Sequence, residues 1–255
     1  MPWNYDANHP FAGIAEKLQR SEQNILDLHS EIDLFITNGQ YPVIPHPEDK
    51  TFQEATEYHK TKMIPLRFGV LAGEVVHHLR SCLDHIVWHF SDDASRAKPR
   101  SIEFPIFEVK PSNKKEIETY ERKVKGISNA NVLRMIEESQ PYRAGSDIAD
   151  HRLLIIHNMD IIDKHRELTI VDSSVNISFP VDIPELGEKI RLYHEGKLSP
   201  AEDVALSRAI KDYGKASPGV AFRQFGKWKV YPVQKGLFEL WFVVSELVVK
   251  FAAEV

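Results

Sequence analysis

The chain has 255 residues, 42% of them hydrophobic and 27% charged, which excludes a disordered tail, a collagen and a mini-protein that needs staples. Lys plus Arg number 32 against 37 Asp plus Glu, for a net charge of −5, so a wholly basic nucleic-acid coat protein is excluded while a local basic patch is not. The one cysteine, Cys82, leaves no partner for an internal disulfide and no multi-cysteine zinc site within one chain.

Met1 to Gly13 has neither a basic n-region nor an apolar h-region, so a cytoplasmic location is the default expectation. Pro10 to Asn38 then reads as a helix, because Ile14, Leu18, Ile25, Leu28 and Ile32 recur at near-helical spacing; Asn38-Gly39 stops it. Pro42, Pro45 and Pro47 mark an extended stretch, and a strand pair is expected near 41–64. Leu66 to Phe90 is the strongest helix. Its wide apolar stripe (Val70, Val75/Val76, Leu79, Leu83, Ile86/Val87) predicts a central position, packed on more than one side.

Ser91 to Pro105 reads as a loop, Ser112 to Lys125 as a polar helix or loop, and Asn129 to Ser139 as a short helix ended by Pro141. A further helix is expected over Ile148 to His165, and strands over 168–181. Ser199-Pro200 reads as a helix start, with Ser199 the N-cap and Pro200 the first helical residue. Two β-type runs over 220–233 flank Gly226-Lys227, a two-residue hairpin signal. Leu237 to Ala253 closes the chain as a helix. Its longest unbroken apolar run, Leu240 to Val244, falls far short of the roughly 18 residues of a membrane span, so no membrane partner is expected. No repeat, low-complexity tract or Gly/Ser linker divides the sequence. It reads as one domain over 1–255, α+β and mainly α: a helical bundle with its core on helix 66–90 and a small antiparallel sheet laid on it.

Helix 66–90 carries the residues with chemical potential. His77, His78, Arg80, Asp84, His85 and His89 sit in an otherwise apolar helix, where buried charge is costly unless paired. At about 100° per residue, Glu74, His78, Ser81 and His85 share one arc and His77, Arg80 and Asp84 a neighbouring one. One reading is a solvated face with an Arg80–Asp84 pair in the weaker i,i+4 orientation, or, in a non-catalytic structural or interaction protein, a satisfied buried network of these polar residues. A second is a bundle-core metal site of Glu74, His78 and His85, with Asp160, Asp163 or His165 facing it; a strict His-Glu-x-x-His element is missing.

A third reading rests on resemblance. Arg80-Ser81-Cys82-Leu83-Asp84-His85 is Arg, four residues, His, with a polar residue directly after the Arg. It resembles the signature of HEPN-domain proteins, an all-helical family with many metal-independent ribonucleases. The resemblance implies that Arg80 holds the scissile phosphate, that His85 moves a proton at the 2′-hydroxyl, and that two motifs meet across a homodimer, with no cofactor. That chemistry needs a base near neutral pKa and a fixed cation, which imidazole and guanidinium supply. A spacing of five places the two Cβ atoms about 140° apart, so a second helix or a second chain is needed to complete a site. The string GEVVHHLRSCLDHIVW with the later IDKHR is also similar to widespread bacterial proteins of unknown function.

The second constellation is Asp160 to Arg166. Its bland reading is a helix end with a favourable Asp160–Lys164 pair and basic residues that complement the dipole. The functional reading sets Asp163, His165 and Arg166 at the mouth of the cleft that holds His85, with His78, Ser81 and Asp84 in support. RNA is the candidate partner on two local patches. Arg96 to Lys125 has nine Lys/Arg against five Glu, and Tyr213 to Phe238 has five Lys/Arg, no acid, and Phe222, Phe225, Trp228 and Tyr231 interleaved. An ordinary hairpin with one apolar face would show the same aromatics. Cys82, between Leu79 and Leu83, reads as a buried, inert thiol.

Overall fold

The computed structural model describes residues 5–37, 64–97, 102–165, 170–178, 188–189, 192, 197–213, 215–228 and 231–255. The helices are α1 (Ala12–Phe35), α2 (Leu66–Phe90), the single turn α3 (Asp93–Arg96), α4 (Lys114–Lys123), α5 (Ala130–Glu138), α6 (Arg152–His165), α7 (Pro200–Tyr213) and α8 (Val233–Ala252). Strands β1 (Ile170–Ser178), β2 (Lys215–Phe222) and β3 (Tyr231–Pro232) make one antiparallel sheet in the order β1-β2-β3. The chain is therefore α+β and mainly α. The strands expected near 41–64 fall almost wholly outside the described residues, as does Arg166.

The chain divides into two compact units. The first comprises Met1–Ile25, Leu71–Leu168 and Leu237–Val255; the second comprises Leu26–Val70 and Thr169–Gly236. In the first unit, Val75, Val76, Leu79, Leu83, Ile86 and Val87 of α2 are wholly buried, as the apolar stripe predicts. They share a core with Leu18 of α1, Phe104, Ile136 of α5, Ile156 of α6, and Leu240, Val244 and Phe251 of α8, all at 0% exposure. Phe104 and Phe251 meet edge to face at 6.2 Å. Polar links tie α8 to its neighbours: Trp241 Nε1–H donates to the Leu18 carbonyl at 3.0 Å, and Arg152 Nη2 donates to Glu239 Oε2 at 2.7 Å. Among the described residues no helix is long and apolar enough to cross a membrane.

In the second unit, Phe35 of α1 and Phe68 of α2 pack edge to face at 5.7 Å, and Arg67 Nε donates to Glu31 at 2.9 Å. The Gly226-Lys227 hairpin is present. Phe225 and Trp228 exchange both backbone bonds at 3.0 Å, and Gly226 has φ 59 at the first central position, as a type II′ turn demands. β2 starts at Lys215, five residues before the expected run, because Pro218 and Gly219 disguise its first half; Pro218 pairs with Val175 of β1. α8 likewise starts four residues early, at Val233. Gly236 does not break it: a Cβ there would stand 2.9 Å from the Phe225 ring, so the helix needs a residue without one.

Local chemistry explains the other helix ends. Asn113 and Glu116 form a reciprocal capping box on α4, so the ambiguous polar segment is a helix. Ser199 and Glu202 cap α7 in the same way, with Glu202 N–H on Ser199 Oγ at 3.3 Å. The helix expected from Ile148 starts only at Arg152; residues Gly145–Asp150 are 3₁₀ and kinked at Asp147.

Candidate functional site

The polar residues of α2 leave the helix on two sides rather than on one wet face. Arg80 is turned inward, with its side chain only 5% exposed. Its Nη2 donates to the Phe104 carbonyl at 2.9 Å and stands 2.8 Å from Asp84 Oδ1 and 3.5 Å from Glu103 Oε2. Nη1 is buried with no partner among the described residues. Asp84 Oδ1 in turn accepts the Phe104 N–H at 2.9 Å. The i,i+4 pair read from the sequence exists, then, but as an interior network that pins the backbone at Phe104, not as a solvated pair. Burial raises the Asp84 carboxyl above its ordinary pKa, and the Arg80 charge and the Phe104 N–H offset part of the rise. Glu103 is pulled below its ordinary value despite burial, held by Lys123 Nζ at 2.7 Å.

On the other side, Glu74, His78 and His85 face α1. Glu74 accepts from Asn24 Nδ2 at 3.0 Å, and His78 is half-buried with Nδ1 unpaired among the described residues. Partial desolvation beside the protein surface holds the imidazoles of half-buried His78 and of the more exposed His85 below their usual value, and the Lys17 ammonium of α1 pushes them in the same direction. Among the described residues, no three His, Cys, Asp or Glu side chains approach closely enough to hold a metal ion, so Glu74, His78 and His85 are not gathered into the site expected of them. Cys82 is wholly buried with its thiol pushed up to about 12 by desolvation, as an inert core cysteine.

His85 is exposed, and it opens onto a hollow of about 620 Å³. Asp84, Trp88, His89, Arg96, Pro10, Gly13, Ile14 and Ile102 complete its lining. The i, i+3, i+4 spacing of His85, Trp88 and His89 puts three rings on one side of the last turns of α2. Trp88 is 40% exposed. Arg96 caps the end of α2: Nε donates to the Trp88 carbonyl at 3.1 Å, Nη2 to the His89 carbonyl at 2.9 Å, and Nη1 to Asp93 Oδ1 at 3.2 Å. Its charge, after burial, lowers the His89 pKa. At neutral pH the hollow therefore presents neutral imidazoles, together with an indole face, the Arg96 guanidinium and the carboxyl group of Asp84, which the Arg80 guanidinium contacts at 2.8 Å. Arg80 is not part of its lining, so the guanidinium and the imidazole of the Arg-x₄-His string do not share it. From the sequence, His89 counts only among the polar residues of the helix and Arg96 only as the start of a basic patch, and Trp88 carries no role. Their signal was available in the three-ring spacing and in Asp92, which caps the turn that carries Arg96 through its bond from Ser95 N–H.

Asp163 lies elsewhere. It stands against Gly73, where a Cβ would collide with its carboxylate, twelve residues before His85 and so on the order of 18 Å along the helix. Burial and then Asp160 raise its pKa. Asp160 is the buried hub of α6, 3.2 Å from His77 Nδ1 and 2.6 Å from Lys164 Nζ, so the expected Asp160–Lys164 pair is formed. Ser81 is half-buried and off the hollow; the His165 side chain and Arg166 fall outside the description. The basic hairpin keeps three of its four aromatics inside, with Trp228 half-buried. Phe222, Phe225 and Tyr231 are buried and stacked, at 5.8 Å and 4.5 Å, so they offer no base-stacking face.

No family model matches the chain, and neither a curated protein nor a solved structure matches it.

Proposed function

We propose that the protein binds single-stranded RNA in the hollow at the end of α2, and that Arg80 serves the fold rather than a phosphate. One observation carries the reading: His85, Trp88, His89 and Arg96 line one open cavity of a size that takes a nucleotide. The indole offers a stacking face, and Arg96 retains N–H donors beyond the three it spends on α2 and Asp93. Lys17 adds a second positive charge at the α1 side, where it acts on His85.

The HEPN resemblance supplies the RNA side of this reading, and its homodimer belongs to the same proposal. The ribonuclease step does not follow as directly. A neutral imidazole at His85 suits a general base, but the fixed cation that the resemblance places at Arg80 is occupied by Phe104, Asp84 and Glu103.

Fluorescence anisotropy with a labelled single-stranded RNA at low salt tests the reading. Wild type binds, and Trp88→Ala weakens binding by about tenfold, as expected when one stacked base is lost. Binding that Trp88→Ala leaves unchanged would place the RNA elsewhere, and no binding at all would end the proposal. RNA cleavage that disappears in both His85→Ala and folded Arg80→Lys would restore the ribonuclease reading in its place.

A further inference from the structure

Asp84 supplies the carboxylate of the hollow, and it is held in one orientation. Its Oδ1 takes the Phe104 N–H at 2.9 Å and the Arg80 contact at 2.8 Å, while Arg80 also takes the Phe104 carbonyl at 2.9 Å. Both polar groups of one backbone residue are thus gripped, one by each side chain, and the carboxylate has no freedom to turn. Oδ2 has no protein partner among the described residues, and the side chain is 33% exposed. An ionised carboxylate only accepts hydrogen bonds, so a ligand in this half-buried position must bring an N–H or O–H to Oδ2 or leave it unsatisfied. The next residue is His85, and Trp88 lies one turn further along the same wall. Asp84, Trp88 and Arg96 thus offer an acceptor, a stacking face and a cation to one ligand in the same hollow.

Resting on the RNA reading above, we infer that Asp84 is a specificity-determining residue: the hollow favours a base with an exocyclic amino group, accepting its N–H at Oδ2, over uracil, whose one donor on that edge, N3–H, is flanked by two carbonyl oxygens that the carboxylate repels. Cytosine and uracil make the sharpest comparison. They share ring size and stacking area and differ at position 4, amine against carbonyl, and at N3, acceptor against N–H donor. Arg80 touches no ligand in this scheme; it is a positioning residue that acts through Asp84.

The test is a pair of anisotropy titrations of the full-length protein with oligo(C) and oligo(U) of equal length at one salt concentration. Oligo(C) binds more tightly by about tenfold, as befits one charge-assisted hydrogen bond against a repulsive contact. Asp84→Asn keeps an oxygen for the Phe104 N–H and turns an NH₂ to the hollow, so the preference inverts toward oligo(U). Arg80→Lys lowers the C-to-U ratio while oligo(U) affinity stays within about twofold. Should Asp84→Asn fail to fold, oligo(C) dimethylated at N4 replaces it: wild type then binds this strand no better than oligo(U). Equal affinity of wild type for oligo(C) and oligo(U) overturns the base selection and leaves the RNA reading standing. Absence of binding to both overturns the RNA reading and the selection with it.

Discussion

Arg80 and Asp84 stand one turn apart on α2, yet their partners come from twenty positions further along the chain, at Glu103 and Phe104. Removing the guanidinium leaves Asp84 half-buried beside an acid and strips the Phe104 carbonyl of its donor. Breaking such a pair costs about 3–5 kcal/mol, so Arg80→Ala should lose that much in urea denaturation. His85→Ala, at an exposed position, should stay within about 0.5 kcal/mol of wild type. Equal, small losses in both would mean that the Arg80 network holds nothing. The thiol of Cys82 gives a second check at this scale. It is fully buried and held as a thiol, so Ellman's reagent should titrate it only after denaturation, and rapid labelling of the native protein would contradict the packing. The acid–base pairing of Arg80 was legible from its spacing; its direction was not. The same four-residue step occurs on a wet face and in an interior, and neighbours distant in sequence decide between them.

Among the elements, α4 depends most on its ends. It buries no residue, and its start is held by the Asn113–Glu116 capping box. Asn113→Ala should cost about 1 kcal/mol locally. Amide exchange at residues 114–118 should quicken while the global unfolding midpoint scarcely moves, because little of the core is attached to this helix. A matching fall in the global midpoint would show that α4 unfolds with the rest. Caps, periodic stripes and the Gly226 turn are local devices, written in three or four consecutive residues, and so the helices and the hairpin were readable. The misread boundaries share a physical cause. Pro218 and Gly219 disfavour a strand and Gly236 a helix interior, but pairing to Val175 and the close approach of Phe225 override those local preferences.

At the scale of the whole molecule, pH joins these local features. His151 and His157 are both held below their usual 6.5 by burial, with Arg152 adding to the one and Arg80 and Lys123 to the other. In the unfolded chain they titrate near about 6.5. Below that pH the unfolded state takes up protons that the native state resists, so stability falls as pH drops from about 7 toward 5.5. Asp84 and Asp163 act in the opposite sense. Their native pKa values are raised by burial, so protonating them on acidification favours the native state and offsets part of the histidine effect. Urea midpoints measured from pH about 7 to 5.5 should decline in wild type, and less so once His151 and His157 are replaced by Asn. A profile with the same slope in wild type and in the doubly substituted protein would mean that the histidines titrate alike in both states.

The primary structure on its own determined where the helices run, that α2 is central, that one hairpin turns at Gly226-Lys227, and that Cys82 is inert. Each depends on residue types within a turn or two of one another. Only the tertiary structure decided which side of α2 becomes a site. The rotation of a helix settles whether a guanidinium meets solvent or a buried carbonyl, and that rotation is set by packing against segments remote in sequence. Arg80 was thereby drawn inward onto Phe104, while His85, Trp88 and His89 were left open beside Arg96.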